Sequence, residues 1–126
     1  MYTSGTTGKP KGANRKLAAK APIDLFMTLT EFPFRVDDRH LVVCPLYHAI
    51  AFGFTGINLA FGAEIHLLER FDPEAFLAKV ERSRITTTAL VPTMLHQLLA
   101  LPEATLRRYD TRSLRAIFSG GAPLSG

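Results

Sequence analysis

The sequence predicts an α/β protein in which a parallel sheet is flanked by helices. Three observations indicate this class. Short apolar, β-branched runs alternate with longer segments of helical periodicity, prolines and glycines separate the two, and 47% of the 126 residues are hydrophobic. Alternating strands and helices are typical of βαβ units, which have parallel strands and right-handed crossovers. A chain of this length is one domain or part of one.

Four apolar or β-branched runs predict the strands. They are residues 40–44, 64–68, 86–91 and 116–118. Pro45 stops the first run, and the Gly120-Gly121 turn follows the last. Residues 36–39, just before the first strand, are typical of a turn.

Helical spacing and capping residues predict four helices. They are residues 23–32 (ended by Pro33), residues 48–61, a helix opened by Asp72-Pro73-Glu74 and a helix opened by Pro92. Asp72 suits an N-cap, Pro73 the first helical position and Glu74 the first turn. We expect residues 48–61 to be buried, with close packing allowed at Gly53, Gly56 and Gly62. We expect the inner faces of the last two helices to carry Phe76, Leu77, Val80, Met94, Leu95, Leu98 and Leu99.

The carboxyl ends of parallel strands meet at one edge of a sheet, and ligands bind beyond that edge. His48 follows the first predicted strand, and Ser119-Gly120-Gly121 follows the fourth. We therefore expect these residues at one edge.

Residues 1–12 are the most informative stretch. They contain three glycines, four aliphatic hydroxyls and two lysines. Glycine permits positive φ and close approach of a ligand, and successive N–H groups can form an anion nest. The stretch predicts a polyphosphate-binding loop, but not a Walker A loop, because only two residues separate Gly5 from Gly8 and Pro10 follows Lys9. A polar surface loop without a ligand is the alternative.

Residues 2–12 resemble the phosphate-binding signature of the AMP-forming acyl-adenylate superfamily, which includes acyl-CoA synthetases, aryl-CoA ligases and peptide-synthetase adenylation domains. Pro-Leu-Tyr-His at 45–48 and Ser-Gly-Gly-Ala-Pro-Leu at 119–124 agree with later motifs of that family, in the same order. The resemblance, closest to fatty-acyl-CoA synthetases, implies that residues 1–126 are a partial adenylation domain, truncated at both ends, from the large N-terminal domain of such an enzyme.

The resemblance implies two half-reactions. A carboxylate attacks the α-phosphorus of ATP and releases pyrophosphate, and a thiol, usually that of CoA, then takes the acyl group from AMP. Mg²⁺ would come with ATP. The implied nucleotide-binding residues are Thr3, Ser4, Gly5, Thr6, Thr7, Gly8, Lys11 and Gly121.

Two residues are implied to act in catalysis, Lys11 and His48. His48 resembles the family histidine that lies between carboxylate and α-phosphate and helps to gate the thiol channel. Gly121 resembles the residue whose backbone lies against adenine and the acyl chain. The alternatives are a half-buried histidine satisfied by backbone and a plain turn glycine.

The substrate prediction depends on a missing charge. Amino-acid-activating relatives carry an aspartate near this histidine, because a buried ammonium without a partner is costly. Residues 39–63 contain no Asp or Glu. This favours a medium- or long-chain fatty acid first and an aryl acid second. Apolar residues that could line an acyl channel are Tyr47, Ile50, Phe52, Phe54, Ile57 and Leu59, of which we expect at least half to be helix core.

The composition of the chain limits the kinds of partner that it is expected to bind. The net charge is +4, and five cations precede the first acid, Asp24, which favours small anions such as ATP, pyrophosphate or CoA. No zinc-finger or RNA-binding motif supports nucleic acid, and no His/Cys pattern indicates a metal site. The single Cys44 suits a packed thiol in a reducing, cytoplasmic compartment, and the apolar residues 49–63 are too short to span a bilayer. A non-catalytic, truncated phosphate-binding remnant remains an alternative.

Overall fold

The computed structural model describes residues 2–3, 11–12 and 32–120. The chain divides into two compact units, residues 1–32 and 33–126. In the first unit, strands β1 (Tyr2–Thr3) and β2 (Lys11–Gly12) pair antiparallel. The helix predicted over residues 23–32 lies outside the described residues except for Phe32.

The second unit contains a four-stranded parallel sheet in the order β4-β3-β5-β6. Its strands are β3 (Arg39–Val42), β4 (Glu64–Leu67), β5 (Thr87–Leu90) and β6 (Ala116–Ser119). Helix α1 (Ala49–Ala60) connects β3 to β4, and α2 (Pro73–Ser83) connects β4 to β5. Helices α3 (Pro92–Leu99) and α4 (Glu103–Leu106) connect β5 to β6. The predicted parallel α/β class is confirmed, whereas the short α4 was not predicted.

Helix α2 has the predicted start and the predicted inner face. The Asp72 carboxylate accepts a hydrogen bond from the Ala75 N–H at 2.8 Å, and Pro73 occupies the first turn. Phe76, Leu77 and Val80 are all buried, because their spacing places them along one stripe of the helix. They join the core formed with β3, β5 and α3, which includes Leu41, Val42, Val43, Ile85, Leu90 and Leu98.

Helix α1 differs from the prediction of a buried helix. Only Ala51 and Asn58 are buried in it, while Phe52 is 72% exposed and Leu59 is 58% exposed. A Cβ added at Gly53 or Gly56 would meet no described atom within 4 Å, so the described residues show no close packing at these glycines. Helix α1 has no charged residue and only two polar ones, Thr55 and Asn58, but the sheet covers only one of its faces.

Gly62 has a different role from the predicted one. It has φ of 83°, and its N–H donates to Leu59 C=O at 3.0 Å while the Ala63 N–H donates to Asn58 C=O at 2.9 Å. This is the glycine-terminated end that closes many helices, and it requires positive φ.

On α3, the prediction that Leu99 is buried is wrong. Leu99 is 68% exposed, because the neighbouring Leu98 takes the inner face.

Asp38 stabilises the edge of the sheet at which the parallel strands begin. Its side chain is 1% exposed and accepts hydrogen bonds from the Arg35 N–H, the Thr86 hydroxyl and the Arg115 guanidinium. Burial alone would raise the pKa of Asp38, but the Thr86, Arg115 and Arg35 donors outweigh it and lower the pKa below its usual value. Arg115 also donates to the Pro33 carbonyl at 3.2 Å. The edge opposite the candidate site is therefore fixed by buried polar contacts.

His40 lies beside this cluster. It is 1% exposed, and its Nδ1 is 2.9 Å from the Thr87 hydroxyl. Burial lowers the pKa of His40 to about 4, although the Asp38 charge acts in the opposite direction. His40 is therefore neutral near pH 7.

Candidate functional site

Three chain segments end at the carboxyl edge of the sheet. Strand β3 ends at Val42 and is followed by Cys44 and Pro45, β5 ends at Leu90 just before α3, and β6 ends at Ser119, next to Gly120. The Gly120 N–H donates to the Leu90 carbonyl at 3.4 Å, so the turn after β6 is still attached to β5. Because β3, β5 and β6 are parallel, His48 and Gly120 both follow strand ends at this edge.

His48 is the N-cap of α1 and is exposed. Its N–H donates to the Pro45 carbonyl at 2.9 Å, and its carbonyl accepts from the Phe52 N–H at 3.0 Å. The imidazole makes no capping hydrogen bond, and its centroid is 4.4 Å from that of the Tyr47 ring. The alternative of a half-buried histidine satisfied by backbone does not fit an exposed imidazole.

The start of α1 favours negative charge nearby. No acidic side chain lies in its first turn. The N–H groups of a first turn lack partners within the helix, and the helix dipole is positive at that end. The start of α1, beside His48, is therefore electrostatically favourable for an anion.

Ile50 and Gly120 bring α1 and β6 together. A Cβ added at Gly120 would lie 3.3 Å from Ile50 Cδ1. A side chain at Gly120 would therefore require the end of the Ile50 side chain to shift slightly. One helical turn further on, the Phe54 ring stacks on Phe118, with centroids 4.6 Å apart and an interplanar angle of 21°.

Cys44 is a packed thiol at this edge. Its Sγ is 3.6 Å from Met94 Sδ and 4.0 Å from the Ala89 carbonyl. Burial raises the pKa of the Cys44 thiol, although a backbone hydrogen bond at Val91 acts in the opposite direction. The thiol stays protonated near neutral pH, which agrees with the prediction of a packed cysteine.

The structure describes only part of the predicted phosphate loop. Thr3 in β1 lies opposite Lys11 in β2, and Tyr2 lies opposite Gly12. The backbone pairing of β1 with β2 brings the two ends of the predicted loop together. The predicted residues Ser4, Gly5, Thr6, Thr7, Gly8 and Gly121 lie outside the described residues, so their roles stay predictions.

Sequence reasoning missed two features. The Asp38–Arg115 pair joins residues 77 positions apart, for which no local pattern exists. The second is an open cavity of about 370 Å³ lined by Glu81 and residues 107–112. Three of its arginines are each paired with a carboxylate, namely Arg107 with Glu103, Arg108 with Glu74 and Arg112 with Asp110. Of these, only the Glu103–Arg107 pair follows helical spacing that the sequence reveals.

In the part of the chain that the structure describes, no three His, Cys, Asp or Glu side chains gather where a metal ion could bind. No helix among the described residues has the length and hydropathy needed to cross a membrane.

Comparison with solved structures identifies the fold. The structure of the amide bond synthetase from Marinactinospora thermotolerans matches 98% of this chain with TM-score 0.78 and 36% identity, and the chain covers 24% of it. O-succinylbenzoate coenzyme A synthetase from Bacillus subtilis, in complex with AMP, matches 98% with TM-score 0.71 and 31% identity, and 30% of it is covered. The fold is therefore that of the N-terminal domain of adenylate-forming enzymes.

The family model described as AMP-binding enzyme matches residues 1–126, and the chain belongs to that family. Feruloyl-CoA synthase of Amycolatopsis is 40% identical over 125 residues, which are 98% of this chain and 25% of that protein. A medium/long-chain fatty acid–CoA ligase of Mycobacterium tuberculosis is 38% identical over 124 residues, 98% of this chain and 21% of that protein. The chain thus spans about a quarter of the length of these curated relatives.

Proposed function

We propose that this chain provides part of the nucleotide- and acid-binding domain of an ATP-dependent acid–CoA ligase. The observation that carries the proposal is the Gly/Thr/Lys-rich segment, whose two ends pair with Thr3 opposite Lys11, in a chain matched along its whole length by the AMP-binding family. ATP, a carboxylic acid and CoA are the proposed substrates, and Mg²⁺ enters with ATP. The buried thiol of Cys44 supports a reducing, cytoplasmic location.

In this proposal the phosphate loop binds through many weak donors. Backbone N–H groups at Gly5 and Gly8 and the hydroxyls at residues 3, 4, 6 and 7 hold the β- and γ-phosphates. Lys11 neutralises charge that develops as pyrophosphate leaves. Donors fixed in advance in this way account for much of the rate in phosphoryl transfer.

His48 is proposed to act on the acid. Its exposed imidazole at the start of α1 is proposed to lie beside the carboxylate and the α-phosphate, where it orients the acid and helps to admit the thiol. Gly121 is proposed to lie against adenine and the acyl group, which leaves room that a larger residue would take.

The acid substrate is proposed to carry no charged group other than its carboxylate. No Asp or Glu lies between residues 39 and 63 to pair with an ammonium group. Medium- or long-chain fatty acids and aryl acids both fit this condition, and the relatives include a fatty acid–CoA ligase and a feruloyl-CoA synthase.

The test is acid-dependent exchange of labelled pyrophosphate into ATP, followed by CoA thioester formation, measured on the complete protein and on the 126-residue chain alone. We expect both activities from the complete protein and none from the chain alone. A complete protein that binds ATP but forms no acyl-adenylate with fatty or aryl acids would instead support the phosphate-binding remnant. Higher activity with an α-amino acid than with either class would contradict the substrate assignment.

A further inference from the structure

Tyr47 is a large aromatic residue that stays in water. It is 78% exposed, so its ring contributes little to the core. In the part of the chain that the structure describes, this ring contacts the imidazole of the next residue, His48, with centroids 4.4 Å apart and ring planes at 47°. The ring of Tyr47 therefore lies against a side chain of the candidate site and not against the core.

The backbone is fixed on both sides of His48. Residues 45–48 form a turn that is closed by a hydrogen bond from the His48 N–H to the Pro45 carbonyl at 2.9 Å, and the ring of Pro45 restricts φ at the first position. On the other side, the His48 carbonyl accepts from the Phe52 N–H at 3.0 Å as α1 begins. The Cα of His48 is thus held in place, and its side-chain torsions alone decide where the imidazole points.

The Tyr47 ring restrains those torsions. The imidazole of His48 is exposed and makes no capping hydrogen bond, and exposed side chains exchange between staggered rotamers on the picosecond to nanosecond timescale. Tilted ring pairs at this separation attract each other beyond the effect of the area they bury. The contact therefore favours those rotamers of His48 that keep the two rings together.

We propose that Tyr47 is a positioning residue whose ring holds the imidazole of His48 in one orientation at the carboxyl edge of the sheet. This inference rests on the proposed ligase function, in which the imidazole lies beside the acid. Only molecules whose imidazole points toward the acid are competent, so loss of the Tyr47 ring lowers the competent fraction and with it kcat. The phosphate loop holds ATP in the same proposal, so the KM for ATP is independent of Tyr47.

The experiment is a double-mutant cycle on the complete protein, measured by pyrophosphate exchange with cinnamate and with dodecanoate. Tyr47→Ala should lower kcat by about three- to tenfold and leave the KM for ATP unchanged, since a ring contact shifts an equilibrium by about that factor. Tyr47→Phe should keep kcat within about twofold of the wild type, because the ring and not the hydroxyl makes the contact. In a His48→Ala background, Tyr47→Ala should have no further effect, because no imidazole remains to be positioned.

Leu99→Ala is the matched control, because Leu99 is 68% exposed and lies near the end of α3. It should leave kcat unchanged. Neither Leu99→Ala nor Tyr47→Ala should alter the midpoint of thermal unfolding by more than about 2 °C, since both residues are exposed.

Three results would overturn the inference while the ligase function stands. They are an unchanged kcat in Tyr47→Ala, an equally large loss in the His48→Ala background, and an equally large loss in Tyr47→Phe. If His48→Ala is itself inactive, a crystal structure of Tyr47→Ala decides: several orientations of the imidazole support the inference, and one unchanged orientation overturns it. No exchange by the wild type with any fatty or aryl acid would refute the ligase function and the inference together.

Discussion

The buried carboxylate of Asp38 and the guanidinium of Arg115 form an ion pair that joins the segment before β3 to the segment before β6. Asp38 is 1% exposed and the Arg115 side chain is 25% exposed. Removing one partner of such a pair leaves a buried charge without compensation. The pair fixes the amino end of β6, the strand whose other end carries Gly120.

Arg115→Met should therefore lower the free energy of unfolding by about 3 kcal/mol. The matched control is Arg107→Met, which removes an exposed pair with Glu103 and should cost less than about 0.5 kcal/mol. Urea denaturation of both variants measures the difference. Equal small losses would show that water compensates Asp38 and that the pair is not a structural anchor.

Acid should destabilise the protein through His40. Its pKa is about 4 when folded, below the ordinary value of 6.5, so between these values the unfolded chain binds a proton that the folded chain does not. The stabilising contribution is complete above pH 6.5 and is lost as pH falls toward 4. We expect a loss of about 2 kcal/mol between pH 7 and pH 5, since one pKa unit corresponds to about 1.4 kcal/mol.

Two variants isolate the His40 effect. His40→Gln should flatten the pH dependence over this range, while His96→Gln, at an exposed position, should keep the wild-type slope. Asp38 contributes only at lower pH, because its stabilisation is lost below its usual value of 3.8. An unchanged slope in His40→Gln would contradict the assignment.

Arg84 offers a stabilising substitution. It ends α2 with φ of 51° and ψ of 45°, a left-handed conformation that costs most side chains about 1 kcal/mol. Arg84→Gly should raise the free energy of unfolding by about 0.5 kcal/mol, after the greater freedom of glycine in the unfolded chain is subtracted. Arg82→Gly, inside the same helix, should lower it by about 1 kcal/mol. Opposite signs in thermal or urea unfolding confirm the backbone argument, and a loss in both would reject it.

Lys11 is expected to contribute to adenylation, the first half-reaction, much more than to thioester formation. In the complete protein, Lys11→Ala should weaken adenylation by about 2–4 kcal/mol, or about 10²–10³ in rate. Thioester formation from preformed acyl-AMP should change much less, because pyrophosphate has already left. Lys9→Ala is the control, since Lys9 is not among the predicted nucleotide-binding residues. Equal losses in both half-reactions would indicate a structural role for Lys11.

The sequence by itself determined the features that depend on local physics. The period of apolar residues identified the strands of the parallel sheet, and Asp72-Pro73 identified the start of α2, because caps and steric limits act over a few residues. The Gly/Thr/Lys segment and His48 were predicted as site residues for the same reason, since each motif lies within a short stretch of the chain, and their roles stay predictions.

The tertiary structure alone decided which residues meet. Helix α1 is apolar except for Thr55 and Asn58, so its composition could not show that Ile50 and Phe54 face β6 while Phe52 and Leu59 are exposed. That outcome depends on the strand order β4-β3-β5-β6, which brings β6 near a helix more than 50 residues earlier in the chain. The Asp38–Arg115 pair has the same origin: a contact between residues far apart in sequence leaves no periodic signal, and only the topology of the sheet makes the two charges neighbours.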